Sequence, residues 1–338
     1  MNVAVIGAGS WGTAVSWLLG AKGHGVSLWA REPEIADSVN SEHRNSLYLP
    51  EVALAHTVRA TPDIEESLRG AEAVVMVTPS IGVRSTAESM RAALSPTTPV
   101  VILSKGVEAD SLMLMTEVLE DVLGHRERLA GLSGPNHAEE VSKGVPSATV
   151  VAGYEDRIAS TFRDIFMTPF FRVYTSTDVI GVELGGASKN VIAVAAGMSD
   201  GLGYGDNTKA TLMTRGLAEM TRLGTARGAN PLTYMGLAGM GDLIVTCTSR
   251  HSRNRALGEL VAQGGSMDDF YAKTHMVAEG AVACVALSQM GAALGVDLPI
   301  TEQVRSILYE GASPAKAGEI LMGREACDEL HGMGLIVD

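Results

Sequence analysis

One lysine stands alone in a long apolar stretch of the chain. Lys189 is the only charged residue between Glu183 and Asp200, and the surrounding residues favour a helix. A lysine in such a place either extends its ammonium group to the surface or points it into a cleft. Burial in a cleft lowers the pKa of an ammonium group toward neutrality, which suits a proton donor. The residues themselves leave both interpretations of Lys189 open.

Three glycines directly follow the first apolar run of the chain, residues 2–6. Gly7, Gly9 and Gly12 have the spacing GxGxxG and open a helical pattern. The first permits a tight turn, the second lets the backbone approach a pyrophosphate, and the third allows helix and strand to pack closely. The N-terminus of the helix faces the phosphate charge. A glycine-rich turn with a packing role is the alternative, but the strand–turn–helix position favours dinucleotide binding.

The end of the second apolar run bears on the choice of cofactor. An Asp or Glu at this point commonly holds the ribose hydroxyls of NAD, whereas this run ends Ala30-Arg31-Glu32. Arg31 can pair with a 2′-phosphate as a fixed cationic fork, so NADPH is the expected cofactor and NADH the alternative. The competing interpretation is a solvated loop arginine, with Glu32 taking the acidic role one residue later.

Other polar positions could recognise a small anionic ligand. Lys105 follows the apolar run 100–104, at the sheet edge where α/β proteins bind ligands, although a solvated loop lysine would look the same. Asp242 lies in a glycine-rich turn and is either a helix N-cap or a residue that orients the site. The tripeptide 252–254, Ser-Arg-Asn, offers a hydroxyl, a bidentate fork and an amide to a phosphate, or it begins a surface helix.

The two halves of the chain predict different scaffolds for these residues. In the first half, β-branched runs alternate with helical patterns, which favours a Rossmann-like α/β fold with a doubly wound parallel sheet. These runs are residues 2–6, 26–30, 73–78, 100–104, 148–152 and 171–174. The second half has Ala, Leu, Met and Gly at helical spacing, in segments 182–198, 209–227, 255–262 and 279–294. We therefore predict a dinucleotide-binding domain over residues 1–178 and an all-helical substrate and catalytic domain over 179–338.

Composition excludes several classes of partner. The 338 residues include 26 basic and 39 acidic side chains, a net charge of −13 that disfavours nucleic acids and anionic lipid surfaces. Three cysteines without CxxC spacing and eight scattered histidines predict neither a disulfide framework nor a metal site. We find no signal peptide pattern and no membrane-spanning run, so we expect a cytoplasmic protein.

Taken together, the motifs resemble those of the bacterial NAD(P)-dependent glycerol-3-phosphate dehydrogenases. The matching stretches follow in order over nearly the whole chain: GAGSWGTA at 7–14, LSKGVE at 103–108, SGPNHAEEV at 133–141, GGASKNVIAVAAG at 185–197, NTKATLMTRGLAEM at 207–220, GLAGMGDLIVTCTS at 236–249, HSRNRALG at 251–258, VAEG at 277–280 and LPI at 298–300. Two positions depart from the family pattern. Asn136 stands where many members have Ser or Thr, and Ala278 stands where Val is usual.

The resemblance implies a function and a role for each site residue. Lys189 would act as the proton donor or acceptor at the C2 oxygen, in the reversible reduction of dihydroxyacetone phosphate to sn-glycerol 3-phosphate for phospholipid synthesis. Substrate contacts are implied for Lys105, Gly134, Asp242, Ser252, Arg253 and Asn254, and the amide of Asn136 is expected to bind a substrate hydroxyl. Besides the glycines of the turn, cofactor contacts are implied for Ser10, Trp11, Arg31, Lys105, Ala138, Arg253, Val277 and Glu279.

The predicted partners are the small-molecule substrate and product, and a second copy of the chain in a homodimer. One alternative function is a related two-domain dehydrogenase of hydroxy acids or hydroxyacyl thioesters, against which the phosphate-binding tripeptide argues. The other is a regulator that senses the NADP(H) ratio without turnover. The lysine at position 189 and the substrate motifs argue against that regulator.

Overall fold

The first half of the chain forms one sheet in the computed structural model, which describes residues 1–274 and 276–329. The strands are β1 (Asn2–Ile6), β2 (Gly25–Trp29), β3 (Val58–Thr61), β4 (Ala73–Met76), β5 (Val100–Ile102), β6 (Leu129–Ser133), β7 (Ser147–Gly153) and β8 (Phe171–Ser176). Their order across the sheet is β3-β2-β1-β4-β5-β6-β7-β8. Strands β1 to β6 are parallel, β7 is antiparallel to β6, and β8 is parallel to β7.

The Rossmann-like fold predicted from the sequence is therefore confirmed, with two additions. Strands β3 and β6 were not among the predicted runs, and the last two strands reverse the direction of an otherwise parallel sheet. The alternation of strands and helices favours parallel pairing, but the residues of a single strand carry no local signal of the strand's direction. The reversal at β7 was for this reason not visible in the sequence.

Helices cover the sheet and make up the second half of the chain. The first half contains α1 (Ser10–Ala21), α2 (Pro33–Glu42), α3 (Ile64–Leu68), α4 (Val83–Met90), α5 (Met115–Leu123), α6 (Ala138–Val141) and α7 (Asp156–Phe166). The second half contains α8 (Val179–Gly201), α9 (Asp206–Ala226), α10 (Asp242–Thr248), α11 (Arg253–Ala262), α12 (Met267–Tyr271), α13 (Glu279–Leu294), α14 (Pro299–Glu310) and α15 (Pro314–Met322). No strand occurs in the described residues after β8, which agrees with the predicted helical domain.

The chain divides into two compact units, each with its own core. The sheet unit comprises Met1–Ser104 and Met115–Val179, and the helical unit comprises Lys105–Leu114 and the described residues from Ile180 to 329. Apolar side chains of β1, β2, α1 and α7 form the core of the sheet unit. The core of the helical unit is built from α8, α9, α13 and α14, and it includes Val107 and Leu114. Lys105 therefore packs with the helical unit, although it precedes residue 179.

Helix α8 is the central helix of the helical unit. Within the described part of the chain it is the one helix that is long and apolar enough to cross a membrane. Of its most apolar window, 94% is buried inside the protein. Its apolar character is explained by packing against the neighbouring helices.

Candidate active site

The glycine-rich turn between β1 and α1 has the geometry that its sequence predicts. Gly7 has a φ of +121°, a backbone angle that residues other than glycine rarely adopt. A Cβ on Gly7 would lie 3.0 Å from the backbone of Val77. A Cβ on Gly12 would lie 1.8 Å from the carbonyl oxygen of Gly7, so only glycine lets the helix begin this close to the strand. A Cβ on Gly9 would meet nothing within 4 Å. The turn is open beside Gly9, where a ligand has room to approach the backbone.

Arg31 lies at the same edge of the sheet as this turn. Strands β1 and β2 are parallel neighbours with Ile6 opposite Trp29, and the Gly7 N–H donates to the Trp29 carbonyl oxygen at 3.2 Å. The side chain of Arg31 is 80% exposed and pairs with the Glu32 carboxylate at 2.7 Å. An exposed pair of this kind contributes little stability, about 0–1 kcal/mol, so the guanidinium group can exchange Glu32 for another anion.

The segment after β6 reaches the same edge, because β6 is parallel to β1 and β2. Gly134 has a φ of +154°, and a Cβ there would lie 2.9 Å from the backbone of Thr149. The Asn136 amide donates to Thr149 Oγ1 at 2.9 Å, whereas its buried Oδ1 has no partner in the described part of the chain. Ala138 is the first residue of α6, which packs against α1. The sheet unit thus brings Gly134, Asn136 and Ala138 to the edge that carries the glycine-rich turn.

In the helical unit, Lys189 lies in the middle of α8 and is buried, with a relative exposure of 6%. Its Nζ donates to Asp242 Oδ1 at 2.8 Å and to Thr246 Oγ1 at 2.6 Å. Of the two interpretations that the sequence left open, the structure thus selects the buried one. The side chain points into the protein and is held by two polar groups.

Asp242 joins this lysine to Lys105. Its Oδ2 accepts a hydrogen bond from Lys105 Nζ at 2.6 Å, while its Oδ1 accepts the bond from Lys189. Asp242 is the first residue of α10, preceded by Gly241 as the N-cap, so its side chain is not the helix cap. Two ammonium groups share one carboxylate, which leaves the cluster with a net positive charge when both lysines are protonated.

The pKa values of the pair follow from burial and mutual attraction. Burial lowers the pKa of Lys189 from 10.5 to about 8, and the positive charge of Lys105 acts in the same direction, while Asp242 opposes both. For Asp242, burial favours the neutral acid, but the two ammonium groups outweigh it and hold the pKa below its ordinary value. Near neutral pH the cluster therefore contains a carboxylate and an ammonium group that can release its proton.

The local backbone explains how Asp242 reaches α8. The preceding residues Leu237–Gly241 form a π-helical turn, closed by the Gly241 N–H bonding to the Gly236 carbonyl oxygen at 3.1 Å. Such turns are rare and often occur at functional sites. A Cβ on Gly185 of α8 would lie 2.7 Å from the Ala238 carbonyl oxygen, so glycine at this position permits the close approach.

The Ser-Arg-Asn tripeptide forms the N-terminus of α11. Ser252 is the N-cap, and its Oγ accepts the Arg255 N–H at 3.2 Å, while Arg253 is exposed. The Asn254 amide donates to Asn190 Oδ1 at 2.8 Å. Since Asn190 is the neighbour of Lys189 on α8, this bond fixes the start of α11 beside the lysine.

Helix α13 begins next to this helix start, with Glu279 as its first residue and Val277 two residues before it. The Asn254 Oδ1 accepts the N–H of Gly280, at the beginning of α13, at 2.8 Å. Asn254 therefore connects α8, α11 and α13, and it brings Arg253 and Glu279 to one region of the helical unit. The predicted site residues of this unit form two adjoining groups, one around Lys189 and one around Arg253.

Sequence reasoning missed two residues of this arrangement. Thr246 lies one helical turn after Asp242, accepts a hydrogen bond from Lys189, and donates to the Asp242 carbonyl oxygen at 2.6 Å. Asn190 forms the link to Asn254. The i, i+4 spacing of Asp242 and Thr246 was the available signal for Thr246. For Asn190 the only sequence signal was its place next to the lone lysine.

Other candidate chemistries find little support in the described residues. No group of three or more His, Cys, Asp or Glu side chains there could hold a metal ion. Cys247 and Cys284 are fully buried, and burial raises the pKa of each thiol to about 12. Neither thiol is ionised near neutral pH, so both cysteines fit a structural role in the core.

Fold and site together define a class of protein. A Rossmann-like sheet with a glycine-rich turn, followed by a helical unit with a buried lysine–aspartate pair, is the plan of the two-domain dinucleotide-dependent dehydrogenases. Comparison with known families narrows this class. Residues 2–159 match the family model described as NAD-dependent glycerol-3-phosphate dehydrogenase N-terminus, and residues 178–319 match the corresponding C-terminus model. The chain belongs to the NAD-dependent glycerol-3-phosphate dehydrogenase family.

Individual relatives agree over almost their full length. A glycerol-3-phosphate dehydrogenase (NAD(P)+) of Anaeromyxobacter sp. (strain K) is 47% identical over 332 residues, which are 98% of this chain and 100% of that protein. One of Desulfitobacterium hafniense (strain Y51) is 48% identical over 335 residues, covering 99% and 95%. The crystal structure of a glycerol-3-phosphate dehydrogenase from Coxiella burnetii superposes with a TM-score of 0.92 at 35% identity, covering 96% and 99%. The resemblance found in the motifs is confirmed.

Proposed function

We propose that this protein reduces dihydroxyacetone phosphate to sn-glycerol 3-phosphate with a nicotinamide cofactor, and catalyses the reverse oxidation. The observation that carries the proposal is the buried hydrogen bond between Lys189 and Asp242, in a chain of this family. It supplies an ammonium group whose pKa is near the working range of a general acid. A bound nicotinamide cofactor supplies the hydride to C2 of the substrate.

The glycine-rich turn fits a dinucleotide. The open space beside Gly9, the N-terminus of α1 and the exposed Arg31 offer backbone N–H groups and a cation to phosphates. We assign cofactor contacts to Gly7, Gly9, Ser10, Trp11, Gly12, Arg31 and Ala138 in the sheet unit, and to Lys105, Arg253, Val277 and Glu279 in the helical unit. Cofactor titration of each single-residue variant tests these assignments.

Lys189 is the proposed catalytic acid. Two of its three N–H groups bind Asp242 and Thr246, and the third finds no partner in the described part of the chain. This third N–H is available to the substrate C2 oxygen, on which negative charge develops as the carbonyl is reduced. Lys189 then gives that oxygen its proton, and in the oxidation direction the neutral amine takes the proton back.

Asp242 and Lys105 set the charge around that proton. Asp242 holds Lys189 in place. Its negative charge also opposes the fall in the pKa of Lys189, so the lysine is protonated near neutral pH. Lys105 adds a second positive charge, so the cluster attracts an anionic substrate and an incipient oxyanion. The two residues are thus proposed to orient and polarise the substrate, together with Gly134 and Asn136, whose buried Oδ1 can accept a hydrogen bond from a hydroxyl.

The N-terminus of α11 is the proposed phosphate site. Arg253 is exposed and forms no salt bridge with any described residue, so its guanidinium group is available as a bidentate donor. The Ser252 hydroxyl caps the helix as an acceptor and retains its own hydrogen, and the Asn254 amide uses one of its two N–H groups for Asn190. A phosphate held here is anchored beside Lys189, which orients the small substrate for reaction.

NADPH is the proposed cofactor. The strand β2 is followed by Ala30 and Arg31, not by a carboxylate, and the guanidinium group is held only by an exposed pair with Glu32. A 2′-phosphate offers Arg31 a doubly charged partner in place of Glu32. Use of NADH instead requires Glu32 to face the ribose, so a variant at each position distinguishes the two cofactors.

Several expectations from the sequence stay predictions. They are the boundaries of the two domains at residues 1–178 and 179–338, a cytoplasmic location, and a homodimer. Sedimentation or size-exclusion measurements determine the last of these directly. The absence of a metal cofactor is tested by activity in the presence of a strong chelator, which we expect to leave turnover unchanged.

The proposed function is tested by cofactor oxidation with matched substrates. Purified protein is given NADPH with dihydroxyacetone phosphate, or with unphosphorylated dihydroxyacetone, or with a 2-keto acid. We expect rapid oxidation only with the phosphorylated ketone, since the α11 site recognises the phosphate. Equal rates with and without the phosphate, or a preference for the keto acid, would favour the hydroxy-acid dehydrogenase alternative. NADPH binding without turnover on any of these would favour the regulator.

A further inference from the structure

A buried asparagine that lies in none of the family motifs named above contacts the glycine-rich turn. Asn45 lies in the connection between α2 and β3, residues 43–57, and its exposure is 0%. Its side-chain N–H groups donate to the Ala8 carbonyl oxygen at 2.7 Å and to Thr13 Oγ1 at 2.8 Å. Its Oδ1 accepts the N–H groups of Leu47 at 3.2 Å and Tyr48 at 3.1 Å. Every hydrogen-bonding position of the amide is therefore filled.

The bond to Ala8 fixes a peptide group within the turn itself. Ala8 and Gly9 are joined by a trans peptide, in which the C=O and the N–H point in opposite directions. Because the Ala8 carbonyl oxygen points at Asn45, the Gly9 N–H points away from it. The orientation of a backbone donor in the GxGxxG turn is therefore determined by a side chain that is distant in sequence.

The connection that carries Asn45 is itself anchored. The Ser10 hydroxyl donates to the Tyr48 carbonyl oxygen at 3.3 Å, which is a second link between this connection and the start of α1. Leu49, Val52 and Leu54 are buried in the core of the sheet unit. Long connections without helix or strand are uncommon in compact domains unless they serve binding. Here the connection is anchored in the core and hydrogen-bonded to the turn and to the start of α1.

We propose that Asn45 is a positioning residue for dinucleotide binding, which holds the Ala8–Gly9 peptide in the orientation that the cofactor phosphates require. The proposal rests on the proposed function, since it assumes that this turn binds a nicotinamide dinucleotide. When a turn is already ordered before the ligand binds, less of the binding free energy is lost in ordering it, and the affinity for the ligand is higher. Removing the amide releases the peptide, so the cofactor must then order the turn as it binds.

The first test compares Asn45 with Asn40, which lies in the preceding helix α2. Asn45→Ala removes the contact with the turn, whereas Asn40→Ala removes an amide that bonds only to the backbone of Ala60, at 2.8 and 2.9 Å. We expect the NADPH dissociation constant and KM to rise at least about tenfold in Asn45→Ala, with kcat at saturating NADPH within about threefold of wild type. Asn40→Ala is expected to lie within about twofold of wild type in all three quantities.

A second variant covers the case in which Asn45→Ala does not fold. Asn45→Asp keeps the size of the side chain and the acceptor for Leu47 and Tyr48, but its carboxylate cannot donate to the Ala8 carbonyl oxygen. On protonation the acid regains a donor. We therefore expect weak NADP+ binding by Asn45→Asp at neutral pH that recovers toward wild type as the pH falls. Asn40→Asp, measured in parallel, corrects for acid effects on the rest of the site.

The outcomes separate this inference from the function on which it rests. Dissociation constants of Asn45→Ala and Asn45→Asp within about twofold of wild type, in a wild-type protein that binds NADPH, would overturn the role of Asn45 alone. A loss of kcat with an unchanged KM for NADPH would overturn it as well. A wild-type protein that binds neither NADPH nor NADH would instead overturn the proposed function.

Discussion

Lys189 and Asp242 form a 2.8 Å hydrogen bond in the interior of the helical unit, and both side chains are less than a tenth exposed. A buried pair of this kind is costly to form, because both charges leave water. Asp242 also binds Lys105, so the cluster keeps one charge in excess. Such an arrangement contributes little to the stability of the fold, but it is well suited to binding an anion and transferring a proton.

Replacing the lysine tests its catalytic role. We predict that Lys189→Ala reduces kcat for dihydroxyacetone phosphate by at least about 10²-fold, since this is the usual contribution of a general acid. The remaining pair of Lys105 and Asp242 is electrically balanced, so the fold should persist. NADPH oxidation gives the rate, and fluorescence titration should give an NADPH dissociation constant close to wild type.

The control is a paired lysine of the helical unit that lies outside this cluster. Lys209 binds Asp200 at 2.6 Å, outside the cluster, and Lys209→Ala should leave kcat within a few fold of wild type. If Lys189→Ala retained more than about a tenth of the wild-type rate, another group would have to be the acid.

Arg253 is predicted to act on substrate affinity. Arg253→Ala removes the exposed cationic fork at the N-terminus of α11, and we expect KM for dihydroxyacetone phosphate to rise by about tenfold to 10²-fold, in line with a lost charged hydrogen bond of about 1.5–3 kcal/mol. The neighbouring exposed Arg250 provides the matched control, Arg250→Ala, with a KM near wild type. Equal effects of both variants would point to a general electrostatic attraction without a defined phosphate site.

Arg31 is predicted to set cofactor preference. In Arg31→Ala the ratio of kcat/KM for NADPH to that for NADH should fall by about tenfold or more, because the 2′-phosphate loses its cationic partner. Glu32→Ala frees Arg31 from its 2.7 Å ion pair and should raise the same ratio. Ratios that stay unchanged in both variants would show that the preference is determined elsewhere.

Glu219 is predicted to make stability depend on pH. This carboxyl is buried and accepts the N–H groups of Ile300 and Thr301 at 2.6 and 3.3 Å, and burial raises its pKa from 4.5 to about 7. Because the folded-state pKa is above the unfolded one, the stability that this group contributes is present below about pH 4.5 and is lost as the pH rises through about 7.

The variant Glu219→Gln has no carboxyl group at this position that can titrate. We expect the free energy of unfolding of this variant to change less between pH 5 and 8 than that of wild type. From below pH 4.5 to above pH 7, the two proteins should differ in this change by on the order of 3 kcal/mol. Urea unfolding at several pH values measures the difference. Parallel curves for the two proteins would show that Glu219 titrates at an ordinary pKa.

Most of the fold could be predicted because buried strands and amphipathic helices leave a pattern in the sequence. Strand β4 is a continuous apolar run, strand β1 is one after Asn2, and both were recognised. Strand β6, Leu-Ala-Gly-Leu-Ser, has no β-branched residue, and β3 carries an exposed arginine on a short edge strand, so neither gave a signal. Their presence follows from pairing with neighbours that were themselves recognisable.

The site was predictable as separate residues but not as an arrangement. Lys189, Lys105 and Asp242 stood out by residue type and local context, whereas their meeting depends on the packing of segment 105–114 with the helical unit. Thr246 and Asn45 act by binding other protein groups, and apart from the i, i+4 spacing of Asp242 and Thr246 the sequence holds no sign of these contacts. Only the three-dimensional contacts identify them.

The pH dependence of the wild-type enzyme tests the central claim most directly, namely that the buried ammonium group of Lys189 is the acid. The measurement is kcat/KM for dihydroxyacetone phosphate reduction across the pH range, paired with kcat/KM for glycerol 3-phosphate oxidation. Because the pKa of Lys189 is lowered to about 8, reduction should decline as the pH rises through about 8, and oxidation should increase over the same interval. Profiles that remain flat through this interval in both directions would contradict the assignment of Lys189 as the proton donor and acceptor.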